Sequence, residues 1–432
     1  MLALLRIALR NLFLQRERGL LLFTVIAGAS AVLVGVMSLR TGVAAAQREA
    51  VTTFLSGDLN VGGFFKLHPD TISPVIGDAR PVRALVEPLV PAGCHLRERG
   101  RGRVTAGAGR HRTRSYVVSL DAAKEGDSLR LFKVKEGALE RLDEPRTVAL
   151  STQLAERLHV RVGDVATLFS RMVGGKQNAV DVRVVAITGR AGLLGESSGI
   201  LVSNTTLREL SGYRAEAAGS LQLTCGAETD VDSLGDTLRQ SLRKAGFELL
   251  PASHEAFGDK LEPLLREGWA GQRLDVSTWE DESSFLAFVT LGLAALSALV
   301  GIIVLAIVMV GLFVSLNVAV RERTREIGTL RALGMQRPSV VGMFVLEGLL
   351  LGLTASTTGA CVASALCVLL RDALPLPEAI SNLFFSGTLP LEPRPLEAVL
   401  AVLLITLGAG IASIIPAARA ASLSPRSAME SL

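Results

Sequence analysis

The chain has 432 residues, 49% of them hydrophobic, and a formal net charge of +4. Its apolar residues gather into four charge-free runs, which excludes an ordinary soluble globular protein and points to a membrane bundle carrying one inserted domain. The positive charge comes from arginines flanking those runs, with no aromatic-rich basic stripe, so nucleic acid is not expected as a partner. The five histidines are scattered, and no CxxC, HExxH or Ser-His-Asp pattern occurs, so neither a catalytic residue nor a metal site is expected.

Taken in chain order, residues 1–18 place Leu2, Leu5, Leu9, Leu12 and Phe13 at helical spacing, with Arg6 and Arg10 on another face. That pattern predicts an amphipathic helix on the cytoplasmic membrane surface. Span one follows at 19–39. Small residues at Ala44–Ala46 would suit a cleaved signal peptide, but the run exceeds the usual h-region of roughly 7–15 residues, so an uncleaved anchor is expected.

Residues 40–284 read as a soluble α+β domain. Strands are expected at Thr147–Leu150, Val165–Phe169 and Val180–Thr188, with a helix over 151–158 capped by Ser151. Further on, a strand at Leu221–Thr224, a helix over 231–245 and a strand at Phe247–Leu250 form a β-α-β pattern. Cys94 and Cys225 are able to pair in an oxidising compartment, but two cysteines far apart in sequence do not by themselves establish a bond. Arg110-His-Arg-Thr-Arg114 reads as an exposed basic hairpin that could meet anionic lipid or an acidic partner.

Span two occupies 285–320. Its 36 charge-free residues exceed the roughly 20 that one crossing needs, so the excess is expected to continue as a stalk. Residues 321–337 form a short amphipathic helix with Ile327, Leu330 and Leu333 at three-residue spacing. Gly334 is placed to end it, and Pro338 suits the first turn of the next helix. Span three is 338–370, an outer loop 371–395, span four 396–416 and a tail 417–432. Gly348 and Gly352 form a GxxxG pair suited to close helix packing at a bundle or dimer interface. Glu347 is an ionisable residue inside a span, expected to pair with an arginine rather than relay a proton.

Arginines set the orientation. Arg6, Arg10, Arg16 and Arg18 precede span one; Arg321, Arg323, Arg325, Arg331 and Arg337 separate spans two and three; Arg419 and Arg426 follow span four. The loop between spans three and four has only Arg371 and Arg394, offset by Asp372, Glu378 and Glu392. A multi-pass protein of the cytoplasmic (inner) membrane is therefore expected, with both termini and 321–337 cytoplasmic and 40–284 outside.

The segment Arg323-Thr-Arg-Glu-Ile-Gly-Thr-Leu-Arg-Ala-Leu-Gly334 resembles the cytoplasmic coupling segment of the FtsX-like permease family of ABC transporters. That family includes the lipoprotein-releasing LolC and LolE subunits and the MacB exporter. The likeness continues through Phe344-Val-Leu-Glu-Gly-Leu-Leu-Leu-Gly352 and Pro416-Ala-Ala-Arg-Ala-Ala-Ser-Leu-Ser-Pro425, and Ala8-Leu-Arg-Asn-Leu12 is similar to the family's first helix. Residues 148–164 resemble its periplasmic domain, which implies a second domain inserted at about 90–215.

The resemblance implies that the short helix docks in a groove of a cytoplasmic ATPase through Arg323, Glu326, Ile327, Gly328, Leu330 and Arg331. No GxxxxGK[ST] phosphate loop occurs in the sequence, so ATP and magnesium are expected on a separate ABC ATPase dimer and no cofactor on this chain. A second permease, identical or paralogous, completes the expected assembly, with membrane lipid around it and a periplasmic carrier or adaptor as a further partner. The implied activity is mechanotransmission, in which ATP-driven motion of the spans moves the outer domain to release a lipoprotein or a related envelope substrate. Drug or peptide efflux of the MacB type, an FtsX-like regulator of a cell-wall hydrolase and a sensor partnered with a histidine kinase are the other readings.

Overall fold

The computed structural model describes residues 16–422 except 127, 128, 130, 131, 133, 190–198, 227, 228, 372 and 385. The amphipathic helix expected over 1–18 falls almost wholly outside the described residues, as does most of the tail. The chain divides into two compact units, one of apolar helices and one formed by Ala46–Phe288 with Pro377–Gly387. It opens with helix α1 (Arg16–Val51), which continues well past the expected end of span one at Leu39. Arg40 and Arg48 end the apolar run but are good helix formers, and nothing between them and Val51 breaks the backbone ladder.

Among its described residues the inserted unit has ten strands: β1 (Leu59–Lys66), β2 (His95–Ala108), β3 (His111–Leu120), β4 (Val134–Gly137), β5 (Thr147–Ser151), β6 (Val165–Arg171), β7 (Gln177–Thr188), β8 (Ile200–Ser203), β9 (Ser220–Thr224) and β10 (Gly271–Thr278). Four of them form an antiparallel base sheet in the order β10-β1-β9-β2. Its apolar face carries Val61, Leu221, Leu223, Leu274 and Val276. These pack on Val82 and Val86 of α2 (Arg80–Val86) and on Leu238 and Leu242 of α5 (Val231–Lys244). The other face is polar and buried: Asn60, Gln222, Asp275 and Ser277 lie on it, and Lys260 Nζ meets Asp275 Oδ2 at 2.9 Å. A disulfide joins Cys94 to Cys225 across 131 residues of sequence, tying the start of β2 to the end of β9.

Strand β2 belongs to two structures at once. His95–Arg99 pairs with β9, while Gly100–Ala108 pairs with β3. Gly100 marks the change, because a Cβ there would run into the Leu207 side chain. Beyond it the pairings β2–β3, β3–β8, β8–β5, β5–β7, β7–β6 and β6–β2 close a six-stranded ring. Alternate residues point inward, among them Val104, Ala106, Val117, Leu150, Leu168, Val182 and Val202. Helices α3 (Thr152–Leu158) and α4 (Asn204–Ser211) add Leu154, Leu158, Leu207 and Leu210 to that core. Ser151 caps α3 by accepting the Leu154 N–H at 3.3 Å. Strand β2 runs unbroken from the base sheet into the ring.

Phe247–Leu250 is not a strand; its pairing is a single parallel bridge between Leu249 and Leu274. The chain leaves α5 at Gly246 with a positive φ of 88° and has space for only two backbone bonds to Leu274.

The helical unit contains α1, α6 (Ala287–Glu322), α7 (Thr324–Ala332), α8 (Arg337–Leu370) and α9 (Pro395–Ser422). The long four are apolar enough to cross a membrane, and the chain is a multi-pass membrane protein. At 36 residues, α6 is about 54 Å long against a hydrocarbon thickness of about 30 Å. The helices share a core of Ile26, Leu33, Val304, Val308, Leu312, Leu351, Ala355, Ile405 and Ala409. Outward they present an apolar surface, with Leu291 70% and Ile302 67% exposed, as a lipid-facing bundle requires.

Candidate functional site

Helix α7 is the element on which the sequence reading placed the function. It starts directly after α6, where Thr324 Oγ1 donates to the Val320 carbonyl at 3.0 Å and competes with helix continuation. It ends at Gly334, whose φ of +101° no residue with a Cβ adopts readily. Gln336 then leads into α8, with Pro338 in its first turn. Two chain reversals within about fifteen residues hold α7 against the ends of the long helices.

Most of the expected contact residues turn inward. Ile327 is 2% exposed and packs among Leu316, Val320, Val340, Met343, Phe344, Ala417 and Ala420. Gly328 is buried beside it. The Arg331 guanidinium donates from Nη1 to the Ala421 carbonyl at 3.1 Å. The Arg323 side chain is 11% exposed and points to Glu347, with Nη1 3.9 Å from Oε2. Among the six residues carried over from the family, Glu326 is exposed, and the side chain of Leu330 lies outside the described residues. The sequence reading put Ile327 and Leu333 on one ridge, and the structure separates them. Six residues at about 100° each turn the helix to a face roughly 120° away, and Leu333 is 86% exposed. The outward surface of α7 therefore comprises Arg325, Glu326, Thr329 and Ala332, with Leu333 just past its end. Leu333 was legible as the last apolar residue before Gly334, and Thr329 carried no signal.

Glu347 and Arg323 are brought together as an ion pair across a gap longer than a hydrogen bond. Arg323 Nη1 and Glu347 Oε2 are buried and make no hydrogen bond among the described residues. Their packing comes from the α6–α7 reversal, which swings Arg323 back over α8.

Gly348 and Gly352 pack within this chain. A Cβ on Gly348 would strike Ser413 Oγ, and one on Gly352 would come within 2.8 Å of the Ala409 Cβ. Both contacts are with α9, so these glycines set the α8–α9 approach and are covered on the face a dimer partner would need. Among the described residues no group of three or more His, Cys, Asp or Glu is placed to hold a metal ion.

Residues 298–425 match the family model described as FtsX-like permease C-terminal. Over 240 residues the chain is 22% identical to "ABC transporter permease YtrF" of Bacillus subtilis (strain 168), an alignment covering 55% of this chain and 49% of that protein. The chain thus spans about half the length of the relative it matches. Two solved structures are also similar. The extracellular domain of the noncanonic ABC-type transporter YknZ from Gram-positive bacteria has 15% identity and a TM-score of 0.29, covering 43% of this chain and 95% of that one. The periplasmic region of MacB from Actinobacillus actinomycetemcomitans has 9% identity and a TM-score of 0.33, covering 54% of this chain and 94% of that one. The family match thus lies on the segment that holds most of α6 through α9, and over that segment the chain resembles the FtsX-like permeases.

Proposed function

We propose that this protein is the permease subunit of an ABC transporter of the cytoplasmic membrane, with both termini and α7 on the cytoplasmic side. A separate ATPase dimer binds ATP and magnesium and seats against the outward surface of α7. The observation that carries this reading is the two-sided construction of that helix. Ile327, Arg331 and Arg323 lock one side to α6, α8 and α9, while Glu326 and Leu333 stand free of the chain's own core. A surface helix anchored so firmly transmits a push on its outer side directly to the long helices instead of rolling or unfolding. Leu333 supplies the apolar anchor and Glu326 the charge that sets register.

Motion of α1 and α6 would then be passed along the chain to the inserted unit, which is the mechanotransmission reading. The cargo that agrees with a separate motor is a lipoprotein or a related envelope substrate, handled by two copies of the permease or by this chain and a paralogue, with a carrier or adaptor outside.

The test is copurification of an ATPase with the detergent-solubilised chain, comparing wild type with Leu333→Asp, Glu326→Lys and Ile327→Asp. Leu333→Asp and Glu326→Lys should lose the ATPase and keep the wild-type melting temperature, since both positions are exposed. Ile327→Asp should lower the melting temperature as well. If wild type brings down no ATPase, or if Leu333→Asp retains it fully, the docking assignment is wrong.

A further inference from the structure

The six-stranded ring of the inserted unit carries a basic groove that the permease reading does not use. It measures about 840 Å³, within the roughly 300–1,000 Å³ of ligand sites. Four guanidiniums line it, from Arg103, Arg112, Arg114 and Arg171, with the rings of Tyr116 and Phe169 between them. No carboxylate lines it. Among the described residues, none of the four arginines has an acidic partner within 4.0 Å, whereas Arg141, Arg146 and Arg183 of the same unit are paired.

The groove follows from strand register. Arg103 faces Tyr116, Thr105 faces Arg114 and Gly107 faces Arg112 across β2 and β3, while Thr105 faces Phe169 across β2 and β6. The alternating neighbours Val104, Ala106, Val117 and Leu168 point into the core, so all these polar side chains emerge on one outer surface of three adjacent strands. Gly107 forms the floor: a Cβ there would come within 3.2 Å of Phe169 and 3.5 Å of Arg112. Its absence lets Arg112 lie over the Phe169 ring at 5.0 Å. Arg103 lies over Tyr116 at 5.1 Å and donates from Nε to the Tyr116 Oη at 3.0 Å. The hairpin turn at Gly109, with φ of +56°, leaves β3 in register so that Arg112 and Arg114 project from the same side.

We infer that this groove binds an extended acidic segment of a polypeptide. Guanidiniums already stacked on aromatic rings have little rotamer freedom left to lose on binding, and their forked donors match carboxylates. Arg112 and Arg114 are two residues apart on one strand, about 6.8 Å, which is also the repeat of alternate side chains in an extended peptide. A guanidinium lies over each ring, Arg103 over Tyr116 and Arg112 over Phe169, so charge rather than apolar surface dominates the groove. Charge complementarity therefore favours a polypeptide carboxylate ladder over a lipid. The inference concerns the inserted unit alone and does not depend on the permease reading.

The test uses the full chain in detergent and a fluorescent octapeptide of alternating glutamate and serine, followed by anisotropy. Wild type should bind it saturably, with affinity falling steeply as salt rises. Arg112→Glu/Arg114→Glu should weaken binding by about tenfold or more, and Arg103→Gln by about threefold. Both changes lie at exposed positions; should the double charge reversal lower the melting temperature, Arg112→Gln/Arg114→Gln serves in its place, with the same tenfold weakening expected. The inference fails if an alternating glutamine–serine peptide binds equally well, or if the charge variants bind like wild type. It also fails if vesicles containing phosphatidylglycerol, or inorganic phosphate, bind in an Arg112- and Arg114-dependent way and the acidic peptide does not.

Discussion

Arg323, at the turn between α6 and α7, reaches back over α8 so that its Nη1 lies 3.9 Å from Glu347 Oε2. Neither atom makes a hydrogen bond among the described residues. Two opposite charges held out of water attract each other strongly, yet at this separation they satisfy each other incompletely. The arrangement couples the attitude of α7 to the interior of α8 through charge rather than packing alone.

Removing one member should therefore cost more than removing both. Glu347→Gln or Arg323→Gln is expected to destabilise the detergent-solubilised chain by about 1–3 kcal/mol, since each leaves a buried group unpaired. The double variant should cost less than the sum of the two singles. Melting of the four proteins checks this; strict additivity would show that the two residues do not interact.

The glycines of α8 make a steric prediction. Gly352→Leu forces a side chain against Ala409 of α9 and should destabilise by about 1–3 kcal/mol through overpacking. Gly342, also in α8, has no neighbour within 4 Å of an added Cβ. Gly342→Ala should be neutral or stabilising by up to about 1 kcal/mol, the helix-propensity gain. Equal effects at the two positions would contradict the packing assigned to α8 and α9.

The disulfide between Cys94 and Cys225 closes a loop of 131 residues that contains the whole six-stranded ring. Replacing both cysteines by serine should lower the stability of the inserted unit by roughly 2–4 kcal/mol. The unit should keep its sheet content, because β2 and β9 remain hydrogen-bonded beside the bridge. Denaturant unfolding with and without reductant measures the difference, and reductant should leave the double variant unaffected.

Asp275 makes a pH prediction. Its carboxyl is pushed above the usual carboxylate range mainly by burial, against the opposing pull of Lys260. A raised native value means that the folded state holds the proton more tightly than the unfolded chain. The resulting stabilisation is fully present below the unfolded value of about 3.9 and is lost as pH rises through the native one. The stability of wild type relative to Asp275→Asn should thus decline across that window and level off above it. A difference that grows with pH would mean the ion pair, not burial, governs this site.

Ser151 shows how far local sequence reaches. A serine ahead of an amphipathic stretch predicts a cap, and its hydroxyl accepts the Leu154 N–H as that pattern requires. The four apolar runs likewise specify helices, because in lipid every backbone group must be bonded within its own segment. Phe247–Leu250 shows the limit. Its residues suit a strand, but a strand needs a partner edge, and only Leu274 is positioned to bond with it.

The sequence by itself determined the spans, the arginine asymmetry, the short helix between α6 and α8 and the family likeness. Each depends on the kinds of residue present within a few turns of chain. Which side of α7 faces the protein was decided only by tertiary structure, since Ile327, Arg331 and Leu333 are distinguished by neighbours contributed from α6, α8 and α9. The same holds for Gly352 against Ala409, for Cys94 with Cys225 and for the alignment of Arg103, Arg112 and Arg171 on one surface. Those contacts exist only once strand register and helix packing have brought separate segments together.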